Sequence, residues 1–263
     1  MITDLEKLAM KLKSLPAGAA LTGSGVSAES GISTYRDKGG LWDTHPKGAS
    51  GGMLGVLAAY PEKASQILGD FFGSLKRALP NPGHTALAEM EKAGFIRGII
   101  TQNVDDLHNR AGSRVVYELH GNVMRVRCMS CGKKERPQRD EFFEVAERLA
   151  AKASGTGLSA LLGELPRCMA CHGILRPDFV GFGEAVQDLS EAVTLAENCG
   201  FMLVCGTSGL VHPAASLPLR ARERGALIVE INPGESALTN IADAVIRERS
   251  AQALPALLKL MTG

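Results

Sequence analysis

Residues 23–42 read GSGVSAESGISTYRDKGGLW, and the reading of this stretch decides the fold. Gly23, Gly25 and Ala28 satisfy G-x-G-x-x-[GA] directly after the short apolar run AGAALT at 17–22. A strand ending in such a turn lets backbone amides approach a pyrophosphate, and a helix opening there adds a favourable dipole. The dehydrogenase form of the motif continues with an apolar helix and a second strand ending in an acid. Asp43 lies twenty residues past Gly23, but ISTYRDKGGLWD has no strand pattern before it. Small polar residues, an aromatic and an arginine follow instead, which weakens the hydride-transfer reading.

Outward from the turn the chain alternates. MITDLEKLAMKLKSLP at the start reads as an amphipathic helix, with Thr3 and Glu6 spaced as a capping box, Leu5, Leu8, Leu12 and Leu15 on one face, and Pro16 as the stop. Residues 44–80 are helical in pattern but broken by Gly and Pro. PNPGHTALAEMEKAG (80–94) predicts a helix, and FIRGIIT (95–101) a strand with Gln102, Asn103 and Asp105 at its end. RVVYELHGNVMRVRC (114–128) is β-rich, and RDEFFEVAERLAAKA (139–153) has helical spacing. Helix and strand then alternate through SEAVTLAENCG, FMLVCGTS, PAASLPLRARERG and ALIVEINPGE to a closing helix, SAQALPALLKLM. Strands that are almost continuously apolar belong to a parallel sheet covered on both faces. The expected architecture is α/β, a Rossmann-like doubly wound parallel sheet with a smaller zinc-ribbon/helical domain. Residues 1–45, 81–124 and 176–263 are assigned to the nucleotide-binding domain. A helical insertion, 46–80, and a metal module, 125–175, make the small one. The polar groups cluster after strand C-termini, at 23–36, 102–105, 206–208 and 232, which in an open sheet line one crevice.

The 263 residues are 45% hydrophobic and 22% charged, with a formal net charge of +1. Such a balance supplies a core and no overall basic field for nucleic acid or an anionic membrane. No segment reaches the roughly 18 apolar residues of a membrane span, and the N-terminus does not read as a secretory signal. Oligomeric state leaves no trace. Of six cysteines, four form Cys128-x-x-Cys131 and Cys168-x-x-Cys171, with 36 residues between the pairs. This is a tetrathiolate zinc pattern, closed and structural, whose long spacer must hold an inserted helix or loop. Thiols used in this way fit a reducing compartment, and a cytoplasmic protein is expected. Cys199 and Cys205 sit in apolar contexts and read as core.

The glycine stretch, TQNVDDLH at 101–108, ELHG at 118–121, the paired C-x-x-C, LRPDFVGFGE at 175–184, GTSGLVHPAA at 206–215 and INPGE at 231–235 together resemble the sirtuins, NAD-dependent protein deacylases. They run in family order over nearly the whole chain. The resemblance implies that Tyr35 covers the nicotinamide ribose and that Arg36 orders the loop around it. It implies His120 as general base on the ribose hydroxyls, and Asn103 ordering a water and ribose. Asp105 would bond the nicotinamide carboxamide. Gly23, Ser24, Gly25, Glu29, Gln102, Gly206, Thr207, Ser208, Asn232 and Ala251 would complete the NAD contacts. Asp106 stands where the family often has Gly, and it is given no catalytic part. His108 is read as structural. The implied reaction begins when the acyl oxygen of a modified lysine attacks C1′ and expels nicotinamide. The alkylamidate passes to the 2′-hydroxyl, and water frees the lysine, leaving 2′-O-acyl-ADP-ribose. Acylated-lysine protein substrates would bind as an added strand along Val180, Gly181 and Phe182, with Gly181 smaller than is common there.

Family members that remove succinyl groups carry a Tyr and an Arg in the helix before the Pro-Asn-x-Gly-His turn. Phe72 and Leu75 take those places here, so acetyl or other neutral acyl groups are expected over succinyl. The nearest alternative function is a mono-ADP-ribosyltransferase using the same NAD pocket, against which stand both Asn103 and His120. A zinc-ribbon interaction protein with a vestigial nucleotide site, and an NAD-dependent oxidoreductase, are more distant rivals.

Overall fold

The computed structural model describes residues 4–34, 39–153, 161 and 163–263, the side chains of Trp42 and Ala49 excepted. In chain order the strands are β1 (Gly18–Thr22), β2 (Ile96–Thr101), β3 (Val116–Glu118), β4 (Gly121–Cys128), β5 (Lys134–Glu135), β6 (Leu175–Phe179), β7 (Phe201–Cys205), β8 (Leu227–Ile231) and β9 (Ala244–Ile246). The chain divides into two compact units, 1–30, 79–120 and 186–263 in one, 31–78 and 121–185 in the other.

In the large unit six strands form one sheet in the order β3-β2-β1-β7-β8-β9, every pair parallel. Alternate residues of each strand go to opposite faces, as the pleat dictates. Ala20, Ile99, Leu203 and Val229 join one buried cluster with Leu8, Leu12, Leu87, Met90, Leu254 and Leu257 of the helices Leu5–Lys13, Pro82–Lys92 and Ser250–Thr262. Ala19, Leu21, Ile100, Met202 and Ile228 join another with Ala192, Ala196, Leu217 and Ala221 of Leu189–Glu197 and Leu217–Glu223. The order reverses between β1 and β7, and among the described residues no strand lies between β1 and β2. The sheet is thus doubly wound, with β9 an edge strand that the sequence reading passed over. Helix Leu5–Lys13 is capped by Asp4, whose carboxylate accepts from the amides of Glu6 and Lys7 at 3.0 and 3.1 Å. Thr3, expected in that role, lies outside the described residues.

The small unit has a three-stranded sheet, β5-β4-β6, antiparallel throughout. Helices Ala64–Arg77 and Arg139–Lys152 pack through Phe72 and Phe142, their rings edge-on at 6.0 Å. Arg139 donates to the Leu75 carbonyl at 2.9 Å and lies over the Phe143 ring. Asp178 of β6, fully buried, faces Lys134 at 2.9 Å and Arg125 at 3.4 Å.

The chain passes between units after Ser30, Ala78, His120 and Ala185, where the sequence reading had 45, 80, 124 and 175. Gly31, at φ 81°, begins the segment given to the small unit. β6 runs antiparallel to β4 from Gly121 onward, which carries residues 121–124 and 176–185 into the small unit as well.

Candidate active site and metal centre

Five strands of the large unit deliver their ends to one edge, and the loops that follow are hydrogen-bonded to their neighbours. The Gly23 amide donates to the Cys205 carbonyl, Gln102 to Thr22, Leu119 to Thr101 and Gly206 to Ile231, each at 3.0 Å. Glycine is needed where two of these loops touch. A Cβ on Gly25 would lie 2.8 Å from the Gly206 Cα, and one on Gly23 2.7 Å from the Gly206 oxygen. Gly206 itself has φ 57°, the left-handed region that side chains resist.

His120 follows β3 and is half-buried. Its Nδ1 lies 3.0 Å from the Gln102 carbonyl oxygen. A carbonyl only accepts, so Nδ1 carries the proton and Nε2 is left as the basic nitrogen. Burial lowers its pKa below the usual histidine value, against the opposing pull of the Gln102 carbonyl, so the ring is neutral and basic at pH 7. Gln102 uses its side chain as well, Nε2 donating to Thr207 Oγ1 at 2.9 Å.

Asn103 and Asp105 meet over Ser27. Asn103 Nδ2 donates to the Gly23 carbonyl and to Ser27 Oγ, both at 3.0 Å. Ser27 Oγ in turn donates to Asp105 Oδ2 at 2.7 Å, while the Leu107 amide holds Oδ1 at 2.9 Å. Burial raises the Asp105 pKa; the Leu107 amide and Ser27 hydroxyl work against it. Two histidines stand behind. His84 Nδ1 accepts from the Asn81 amide at 3.3 Å, which turns its N–H toward Ser27 at 3.4 Å. Its pKa is pushed down to about 4 by burial. His108 Nε2 faces Thr22 Oγ1 at 2.9 Å, and its Nδ1 has no partner among the described residues. Burial first, then the neighbouring His84, holds its pKa well below the ordinary value. Asp106, at φ 69°, occupies the left-handed conformation that suits glycine, and it precedes the short helix Leu107–Arg110.

The remaining expected contacts are spread around this edge. Ser24 opens the helix Ser24–Ala28. Asn232 Nδ2 donates to the Thr207 carbonyl at 3.3 Å, and the Ser208 carbonyl accepts from Ala237 at 3.0 Å. Glu29 and Ala251 are brought together, the Glu29 carboxylate accepting from the Ala251 amide at 3.0 Å in the first turn of Ser250–Thr262. Tyr35 and Arg36 lie outside the described residues.

In the small unit Val180 leaves β6 half-buried, Gly181 donates its amide to Glu184 Oε2 at 2.9 Å, and Phe182 is 59% exposed. The nearest atoms to a Cβ on Gly181 would be those of Glu184, at 3.7 Å. The four cysteines come from two turns. Cys128 ends β4, and Gly132 continues the first turn at φ 73°. Cys168 and Cys171 bracket the second, closed by the Cys168 amide on the Gly173 carbonyl at 2.8 Å. Their sulfurs all lie within 4.8 Å of one another. Cys128 to Cys171 is 3.4 Å and Cys131 to Cys168 3.8 Å. Four sulfurs held tetrahedrally about 2.3 Å from zinc would stand about 3.8 Å apart, so the set fits zinc and is too open for disulfides.

A model of the Sir2 family matches residues 23–213. The chain belongs to the Sir2 family. It is 38% identical over 259 residues to an NAD-dependent protein deacylase of Desulfosudis oleivorans, covering 97% of this chain and 94% of the relative. With one of Thermococcus kodakarensis it shares 43% over 246 residues, covering 91% and 89%. Among solved structures, a Sir2 homolog–NAD complex superposes with a TM-score of 0.78 at 38% identity, over 98% of this chain and 93% of that one. A Sir2–p53 peptide–NAD+ complex gives 0.77 at 29%, over 98% of each chain. In this Sir2 member no helix among the described residues is long and apolar enough to cross a membrane.

Sequence reasoning passed over Ser27, His84 and Thr22. Ser27 was accessible through geometry: a helix opening at Ser24 brings residue 27 back beside Gly23, three and four residues apart being neighbours on a helix. Glu230, an acid inside the apolar run LIVEIN, carried a signal that was also missed, since charged residues are almost never fully buried without partners.

Proposed function

We propose that this Sir2-family chain is an NAD-dependent protein lysine deacylase that transfers the acyl group to ADP-ribose and releases nicotinamide. The observation that carries the reading is the His120–Gln102 bond, which leaves a neutral, half-buried imidazole with Nε2 unprotonated at the end of β3. NAD, when bound, supplies an electrophilic anomeric carbon and a leaving group. His120 Nε2 takes the proton of a ribose hydroxyl, a role worth about 10²–10⁴ in rate. Asn103 and Asp105, cross-braced by Ser27, present fixed polar groups to the nicotinamide ribose and carboxamide. Thr207, Ser208 and Asn232 take the phosphate and adenosine side, and Gly23, Ser24 and Gly25 keep the turn close. Glu29 supports that end by accepting from the Ala251 amide at the start of the last helix; the family resemblance gives Tyr35 the part of covering the nicotinamide ribose and Arg36 that of ordering the loop. Cys128, Cys131, Cys168 and Cys171 would hold a zinc ion, which would serve as a structural cross-link.

Acylated-lysine peptides bind along Val180, Gly181 and Phe182, main chain to main chain. The p53 peptide complex of a relative supports peptide binding. Neutral acyl groups are preferred over succinyl: Leu75 is buried and Phe72 packs on Phe142, so neither place offers a cation to a carboxylate. The cytoplasm suits the chain, with thiols kept reduced for the metal.

Incubation with NAD and an acetyl-lysine peptide tests this. Nicotinamide and 2′-O-acetyl-ADP-ribose should appear together, one for one. ADP-ribose attached to protein with the acetyl group left on lysine would favour the transferase instead.

A further inference from the structure

Glu230 is 1% exposed, in a strand whose other residues are Leu227, Ile228, Val229 and Ile231. A buried carboxylate is tolerated only with its oxygens bonded, and here its side-chain partners among the described residues come from chain that follows. Ser236 Oγ donates to Oε1. Thr239 Oγ1 reaches Oε2 at 2.8 Å, and Arg247 Nη1, just beyond β9, reaches the same oxygen at 2.9 Å. Arg247 Nη1 also faces the carbonyls of Asn232 at 3.3 Å and Gly234 at 2.6 Å. One buried charge thus gathers the start, middle and far side of the loop that leaves β8.

That loop is fastened to the one after β7. Asn232 Nδ2 meets the Thr207 carbonyl and Ala237 the Ser208 carbonyl. Gly209 lies so close to Leu238 that a Cβ there would be 2.6 Å from its Cγ. The spacing between Asn232 and Thr207–Ser208 therefore follows from where Glu230 and Arg247 hold residues 232–239.

We propose that Glu230 and Arg247 are positioning residues for the adenosine-ribose end of the NAD site. They pre-set the loop carrying Asn232 before the dinucleotide arrives. The proposal rests on reading Thr207, Ser208 and Asn232 as NAD contacts. Neither residue needs to touch the ligand, since the Glu230 carboxylate is taken up by protein donors. Loss of the clamp costs ordering of the loop at each binding event, and the loss falls on affinity rather than on the chemical step.

The test uses Glu230→Gln and Arg247→Met in the full zinc-loaded chain. ADP-ribose, which lacks nicotinamide, is titrated by calorimetry. Steady-state kcat and KM for NAD, nicotinamide inhibition and Tm are measured alongside. Both variants should weaken ADP-ribose and raise KM for NAD by about tenfold, the size of losing one or two charge-assisted hydrogen bonds. The kcat at saturating NAD and the nicotinamide inhibition constant should stay within about twofold of wild type, because they report on the opposite end of the site. Arg247→Lys, keeping charge but losing the fork, should fall between. Should Glu230→Gln not fold, the Arg247 pair decides, its guanidinium lying at the surface. Unchanged ADP-ribose affinity in a folded Arg247→Met protein, or a loss confined to kcat, overturns the clamp. A wild-type chain that binds no ADP-ribose overturns the cofactor reading itself, and the clamp with it.

Discussion

The parallel sheet of the large unit buries apolar side chains on both faces, with Leu21, Ile99, Ile100, Leu203 and Ile228 each fully enclosed. Around the cysteines of the small unit the buried apolar set, among the described residues, shrinks to Cys128, Cys168 and Leu175, with Val126 beside them. Each enclosed leucine or isoleucine is worth about 1.5–3 kcal/mol, so the first region is stabilised by hydrophobic burial spread over many residues. The second has too few such side chains and must draw on metal ligation, whose free energy is concentrated in four bonds. A distributed source of stability tolerates buried polar groups, and the large unit carries Asn103, Asp105, His84 and His108 buried together. A concentrated source does not, because one lost ligand removes most of it.

The largest effect expected is therefore at a ligand. Cys131→Ala should empty the metal site and open residues 121–185 to proteolysis, since structural zinc contributes on the order of 10 kcal/mol in small modules. Metal analysis with limited digestion reads both, and a metal-free protein with unaltered digestion would erase the contrast. His120→Ala should do the reverse, lowering kcat by about 10²–10⁴ with Tm unchanged. A fall in Tm of the same variant would mean that the site and the fold of the large unit are not separable.

Acid should find the buried polar cluster. Above the ordinary histidine pKa both folded and unfolded chains are neutral at His84, and it adds nothing. As pH falls from 6.5 toward 4 the unfolded chain gains the proton and the folded one refuses it, so stability declines. A displacement from 6.5 to about 4 corresponds to about 3 kcal/mol, with His108 acting in the same direction and Asp105, raised by burial, offsetting part at the acid end. Urea unfolding between pH 7.5 and 5 should show the decline, and His84→Gln should flatten it. Zinc content must be followed in parallel, because thiolates release metal in acid. An equal slope in both proteins would take the acid lability away from His84 and leave it to His108 and the metal module. The smallest effect is at Glu29. Removing its bond to the Ala251 amide by Glu29→Ala should cost about 0.5–2 kcal/mol, measured by the same unfolding, with no loss of zinc.

What could be read from the sequence divides along the same line. Apolar runs such as FMLVC and ALIVEI announce buried parallel strands, and two C-x-x-C pairs announce a metal, because each signal is local. The edge strand Ala244–Ile246 is three residues long, too short for periodicity to register. The meeting of Ser27, His84, Asn103 and Asp105 depends on sequence separations up to 78 residues, which no window reports. His120 was found through resemblance. The protonation of its ring was not, since that depends on which way the Gln102 carbonyl faces.

Four passages of the chain between its two units mean that no single cut separates them. A series of truncations from either terminus would therefore read as uniformly damaging, whatever residue was being probed, and would map no boundary. Isolating the metal-bearing unit requires splicing 31–78 to 121–185 across a designed linker, one new junction together with two new termini. The path of the chain alone makes the two units a single piece to engineer.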